Sequence, residues 1–197
     1  MTDMTDMTEG EVLRALEDSQ AVRTGHFVLT SGRHSARYVQ CARILEDAAL
    51  TTRLADAAVS RLPDDLTVDM VAAPAVGGII FGFAVAQALG VKFIFSERDH
   101  GTMVLRRGFE VPPDARVLVV EDVVTTGGSV GEVIDLIRKA GGDAVGVVSL
   151  IDRGGDKKFR APFWPLLRLE VESWDPESCG LCAEGVPVDS PGSRRLC

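Results

Sequence analysis

Val117-Leu118-Val119-Val120-Glu121-Asp122-Val123-Val124-Thr125-Thr126-Gly127-Gly128-Ser129 is the stretch on which the reading of this chain turns. An apolar strand runs into two acids, two apolar residues and a Thr/Gly/Ser turn, and an amphipathic stretch over residues 130–139 follows. Strand, tight turn and helix in this order gather backbone N–H groups and hydroxyls at the positive end of a helix, which suits a phosphate. Gly127 and Gly128 permit close approach of the backbone. Glu121 and Asp122 are expected at the strand end, within reach of sugar hydroxyls or a hydrated Mg²⁺. No Gly-Lys-Ser/Thr follows, so this is not a Walker loop, and adjacent glycines do not make a dinucleotide fingerprint. The bland alternative is an ordinary strand–loop–helix connection with a serine N-cap and two solvated acids.

Working outward, Thr8 and Glu11 have capping-box spacing and precede a helix expected over residues 11–21. Residues 27–40 read as extended, broken at Ser31-Gly32, and residues 47–62 read as a helix stopped by Pro63. Strands and helices then alternate: strand 68–73, loop 75–78, helix 79–89 stopped by Gly90, and strand 91–95. A polar segment over residues 96–102 and a stretch over 104–110 come next. Strand 144–151 then leads into Asp152-Arg153-Gly154-Gly155, and residues 166–171 suit an edge strand. Such alternation predicts an α/β fold with a mostly parallel central sheet flanked by helices. Ligands of these sheets bind beyond the strands' carboxyl ends. The loops at 74–78, 121–129 and 152–155 all follow apolar strands and are expected to surround one site.

The 197 residues suit one domain with a full core, with 46% hydrophobic and 25% charged residues. Three segments are expected: a disordered tail over 1–10, a single domain over 11–173, and an irregular Cys/Pro/Gly-containing segment over 174–197. No apolar run is long enough to cross a membrane, and the N-terminus lacks the basic and apolar regions of a signal peptide. A cytoplasmic location is therefore expected. The net charge of −8 and the lack of a basic helix–turn–helix stretch argue against nucleic acid. Of four cysteines, Cys179 and Cys182 form C-x-x-C, which is half a zinc site, a redox pair or two reduced thiols. A zinc site would draw its other ligands from Cys197, Cys41 or a distant histidine. No residue is assigned as a protein-held metal ligand.

The run Glu121 to Ser129 resembles the 5-phosphoribosyl 1-diphosphate (PRPP) signature of type I phosphoribosyltransferases. Leu29-Thr30-Ser31-Gly32-Arg33-His34-Ser35-Ala36-Arg37-Tyr38 resembles the N-terminal segment of the orotate phosphoribosyltransferases among them. Ala73-Pro74-Ala75-Val76-Gly77-Gly78-Ile79 is similar to their diphosphate loop. Leu150-Ile151-Asp152-Arg153 is similar to the strand end whose arginine meets the orotate carboxylate, 32 positions after Glu121. The resemblance implies the type I fold with a small N-terminal hood subdomain, and formation of orotidine 5'-phosphate and diphosphate from orotate and PRPP. It implies PRPP binding by Glu121, Asp122, Val123, Val124, Thr125, Thr126, Gly127, Gly128 and Ser129, with Ala75, Val76 and Gly77. It also implies orotate binding by Thr125 and Arg153, Mg²⁺ arriving with PRPP, and a homodimer with a shared active site. The catalytic residues expected are Asp122, Glu121, Arg98 and His100, the last two on a mobile segment that closes over PRPP.

The chain departs from the family at Thr30 and Gly77, where many relatives carry lysine, and residues 96–103 hold no lysine. Compensating charge is expected from Arg98, His100, Arg106 and Arg107. Arg106-Arg107 reads equally well as an exposed hairpin with adjacent charges on opposite faces. Arg153 has a plain alternative as a surface ion pair with Asp152 or Asp156. Two other functions stay open: a PRPP enzyme acting on a purine, disfavoured by Arg153, and a non-catalytic PRPP sensor.

Overall fold

A computed structural model describes residues 7–29 and 31–191. Residues 1–6 of the expected tail, Thr30 and Cys197 lie outside the described residues. The chain builds a six-stranded sheet and a separate two-stranded hairpin. Helix α1 (Glu9–Asp18) starts two residues before its sequence expectation, because the Thr8–Glu11 capping box forms and fixes the first turn. Met7 is already buried, so residues 7–10 belong to the folded body. The hairpin follows as β1 (Val22–Val28) and β2 (His34–Val39). Next come α2 (Ala42–Leu45) and α3 (Ala48–Val59), the latter capped by the Asp47 carboxylate accepting from Leu50 N–H.

The sheet is then laid down as β3 (Met70–Pro74), α4 (Gly78–Leu89), β4 (Lys92–Asp99), β5 (Thr102–Leu105), β6 (Arg116–Val124), α5 (Gly128–Lys139), β7 (Asp143–Asp152) and β8 (Phe163–Arg168). Its order is β5-β4-β3-β6-β7-β8, parallel except for the β4–β5 pair. Alternation along the strands sorts two cores. Val71, Leu118 and Val120 face Leu54, Phe81 and Val85 of α3 and α4. Met70, Ala72, Val117 and Val119 face Val130, Val133, Ile134 and Ile137 of α5. Each face of the sheet is thus sealed by an apolar helix stripe.

Two expectations change here. Residues 96–102 are not a free loop: Ser96, Glu97, Arg98 and Asp99 extend β4 and pair with Leu105, Val104, Met103 and Thr102. His100 and Gly101, at φ 46° and 84°, make the turn. The C-terminal segment holds more structure than its composition suggests. A 3₁₀ turn at Pro176–Ser178 leads into a single helical turn, α6 (Gly180–Ala183), with Cys179 at its N-cap. The segment docks on the hairpin through the bridges His34↔Trp174 and Phe27↔Asp189.

Candidate active site

Strand β6 pairs with β3 only as far as Val119 but with β7 as far as Val124. The two signature acids therefore sit inside β6, not beyond its end, where the sheet opens between β3 and β6. The loop after β3 fills that opening. A Cβ at Gly77 would lie 2.7 Å from Asp122 Oδ1, and one at Gly78 would lie 3.0 Å from Glu121 Oε1. Only glycine lets the first residues of α4 come this close. The Gly77 departure from the lysine pattern thus has a local cause: Asp122 fills the space.

The acids are not equivalent. Glu121 is buried, and burial together with the neighbouring Asp122 charge pushes its pKa up to about 9. Its Oε1 accepts the Asp122 N–H at 3.2 Å. Asp122 is half-buried, and its Oδ1 accepts the Val123 N–H at 2.8 Å. Burial and the neighbouring charge thus favour the protonated form of Glu121.

The turn after β6 is built to receive an anion. Gly127 is the N-cap of α5 in the left-handed region (φ 73°), and no side chain caps that end. Ser129 is inside the helix, not its cap. Among the described residues, none of the N–H groups of Thr125, Thr126, Gly127, Gly128 and Ser129 finds a protein acceptor. Thr125, Gly127, Gly128 and Ser129, with Glu121, Val123 and Val124, line a cleft of about 50 Å³. Unpartnered N–H groups at a helix N-terminus suit a phosphate or another anion.

The third loop wraps the second. Arg153 N–H donates to Val124 O and Lys158 N–H to Thr126 O, and Phe159 lies against Gly127. Lys157, which the sequence reading passed over, ties them together: its Nζ donates to Asp152 Oδ1 (2.5 Å), Gly154 O (2.8 Å) and Thr125 O (2.9 Å). Asp152 is thus held by Lys157, and among the described residues Arg153 forms no salt bridge with Asp152 or with Asp156. Arg153 is more than half buried, its Nε has no hydrogen-bond partner, and burial lowers its pKa. Tyr38 and Cys41, from the hairpin and α2, are close enough for their charges to act on Arg153. Burial, with Asp122 and Glu121 nearby, raises the Cys41 thiol well above its usual range. The hairpin thus reaches the same site as the three loops.

Arg98 and His100 are not brought to this site within one chain. Arg98 pairs with Glu132 at 3.0 Å, and His100 is 99% exposed with only Asp99 nearby, at 3.8 Å. Arg107 forks onto Glu97 at 2.9 Å, and Arg106 lies 4.0 Å from Asp99. Each arginine is answered by a local acid, and both follow the end of β5 instead of alternating along a strand. Arg33, in the N-terminal segment, bonds Ser173 and Asp175 and so anchors the C-terminal segment.

A family model described as a phosphoribosyl transferase domain matches residues 41–178, and the chain belongs to that family. Among its relatives, the orotate phosphoribosyltransferase of Carboxydothermus hydrogenoformans is 50% identical over 90% of this chain and 94% of its own. That of Heliobacterium modesticaldum is 50% identical over 95% of this chain and 100% of its own. The crystal structure of orotate phosphoribosyltransferase from Aeropyrum pernix superposes with a TM-score of 0.71 at 28% identity, covering 80% of this chain and 93% of that one.

Proposed function

We propose that the chain is an orotate phosphoribosyltransferase, joining orotate N1 to ribose C1' of PRPP with release of diphosphate. The observation that carries this reading is Arg153. A half-buried guanidinium with an unpartnered Nε, beside the phosphate turn and under the hairpin, calls for a planar anion such as the orotate carboxylate. A purine offers no such group. Thr125, joined through its carbonyl to Lys157, is the second residue assigned to the base.

The turn at 125–129 holds the 5'-phosphate through its free N–H groups. Glu121, protonated at neutral pH, donates to one ribose hydroxyl, and Asp122 accepts from the other. Gly77 lies beside Asp122, and with Ala75 and Val76 before it forms the loop where the diphosphate would leave. As the C1'–O bond breaks, positive charge develops on the ribose, and the Asp122 carboxylate stabilises it. Orotate N1 attacks as an anion, so the chain orients the base and need not deprotonate it. Asp122, cradled against glycine, and the neutral Glu121 offer one charge to a cation, which fits Mg²⁺ carried in by PRPP better than a protein-held ion. Bound Mg²⁺ would supply charge neutralisation for the leaving diphosphate.

The exposed apolar side chains of Val76 (81%), in the loop before α4, and of Ile80 (52%) and Phe83 (58%) on α4 support a homodimer. The free tip of the β4–β5 hairpin would then offer His100, and Arg98 on release from Glu132, to the neighbouring site. Among the described residues no helix is long and apolar enough to cross a membrane. The test offers orotate, uracil and adenine separately with PRPP and Mg²⁺ and follows diphosphate release. Release with orotate alone supports the reading; release with adenine instead would overturn it.

A further inference from the structure

The transfer chemistry leaves unused a cluster of four side chains where the C-terminal segment docks on the hairpin. His26 comes from β1, His34 from β2, and Cys179 and Cys182 from the two ends of one helical turn. Their donor atoms all lie within 4.8 Å of one another. His26 Nε2 is 2.9 Å from His34 Nδ1, 3.5 Å from Cys179 Sγ and 3.7 Å from Cys182 Sγ, and Cys182 Sγ is 3.3 Å from His34 Nδ1. A tetrahedral zinc with bonds of about 2.0–2.1 Å to nitrogen and about 2.3 Å to sulfur would space its ligands at roughly 3.3–3.8 Å. The three separations involving sulfur, at 3.3, 3.5 and 3.7 Å, fall in that range, and the two histidine nitrogens, at 2.9 Å, stand closer.

Hydrogen bonding alone accounts poorly for this arrangement. The other nitrogen of His26, Nδ1, lies 2.8 Å from Val186 O, which can only accept. A neutral His26 ring therefore donates from Nδ1 and leaves one lone pair on Nε2. Three donor atoms crowd that single lone pair. A cation at their centre satisfies all four, and the Val186 carbonyl is then the outer partner that fixes the ring. His26, His34 and Cys179 are buried, while Cys182 is exposed and gives an entry path.

We propose that His26, His34, Cys179 and Cys182 form a structural zinc site that fastens the C-terminal segment to the N-terminal hairpin. Two thiolates and two imidazoles select Zn²⁺ over Mg²⁺ or Ca²⁺, and four protein ligands leave no open position for catalysis. The site has a structural task. A two-stranded hairpin and a four-residue helical turn are each marginal alone. Cross-linking them supports β2, whose Tyr38 lies near Arg153. Of the ligand sources left open by the sequence, the distant histidines fill the set, and Cys41 lies instead beside Arg153.

The test uses the full chain, without a histidine tag, purified under reducing conditions and supplied with zinc. Elemental analysis should find one zinc per chain, and cobalt exchange should give the d–d bands and thiolate charge-transfer band of a tetrahedral site. Cys182→Ser and His26→Gln should each lower zinc content to background. Zinc removal should also expose the segment after residue 174 to protease. Because cobalt exchange is read on the unmutated chain, a variant that fails to fold leaves the test intact. Background metal with two freely titrating thiols, or a Cys179–Cys182 disulfide in the zinc-supplied protein, would overturn the proposal.

Discussion

Glu121→Gln should stabilise the protein in a pH-dependent way. Glu121 holds its proton up to about pH 9 in the folded chain, against a reference value of 4.5. Between those values the folded state binds one proton that the unfolded state has lost, so stability falls as pH rises through the window. The slope for one such group is about 1.4 kcal/mol per pH unit. From pH 6 to pH 8 the wild-type chain should lose about 2.7 kcal/mol through this group alone. Glutamine has the same shape, can accept the Asp122 N–H and does not titrate. The variant should match wild type near pH 4.5 and gain on it steadily towards pH 8. Urea unfolding of both proteins at several pH values, without PRPP or Mg²⁺, measures the difference and cancels every other titrating group. A stability difference that stays flat from pH 5 to pH 8 would show that Glu121 is ionised in the folded chain.

Arg153→Ala should weaken orotate affinity ten- to a hundred-fold, a loss of about 1.5–3 kcal/mol for a charge-assisted bond, and leave PRPP binding nearly unchanged; titration with each ligand separates the two. Asp122→Asn should lower kcat/KM for PRPP far more than it lowers Tm, and near-normal turnover would remove Asp122 from the mechanism. Gly127→Ala should damage both stability and PRPP binding, because its Cβ would sit 2.5 Å from the Phe159 ring at a φ of 73°; such strain costs on the order of 1–3 kcal/mol, read by denaturation. If the site is shared, mixing inactive His100→Ala and Asp122→Asn subunits should restore part of the activity. No recovery despite proven subunit exchange would count against sharing.

The sheet and its central loop were legible because the signals are local and strong. The apolar run before Glu121 is buried on both faces, and the paired glycines mark a turn that only backbone donors fill. The place of Arg153 after a buried strand could be read, but its buried and unpartnered Nε could not. The β4–β5 hairpin was not legible, since beyond Phe95 its residues are mostly polar, and its His100-Gly101 turn reads as a hinge. Lys157 was missed because its partners are mainly backbone carbonyls, which leave no mark in sequence. The His/Cys cluster joins residues 153 positions apart, so C-x-x-C alone could show only half of it. The neutrality of Glu121 comes from burial beside Asp122, which spacing does not reveal.

The central claim is transfer of the phosphoribosyl group to orotate at the site built by Asp122, the 125–129 turn and Arg153. Its most direct test follows orotate absorbance with purified protein, PRPP and Mg²⁺ while mass spectrometry counts products. One orotidine 5'-phosphate and one diphosphate should form for each orotate lost, with none formed without PRPP. Tight PRPP binding without orotate loss under those conditions would contradict that claim.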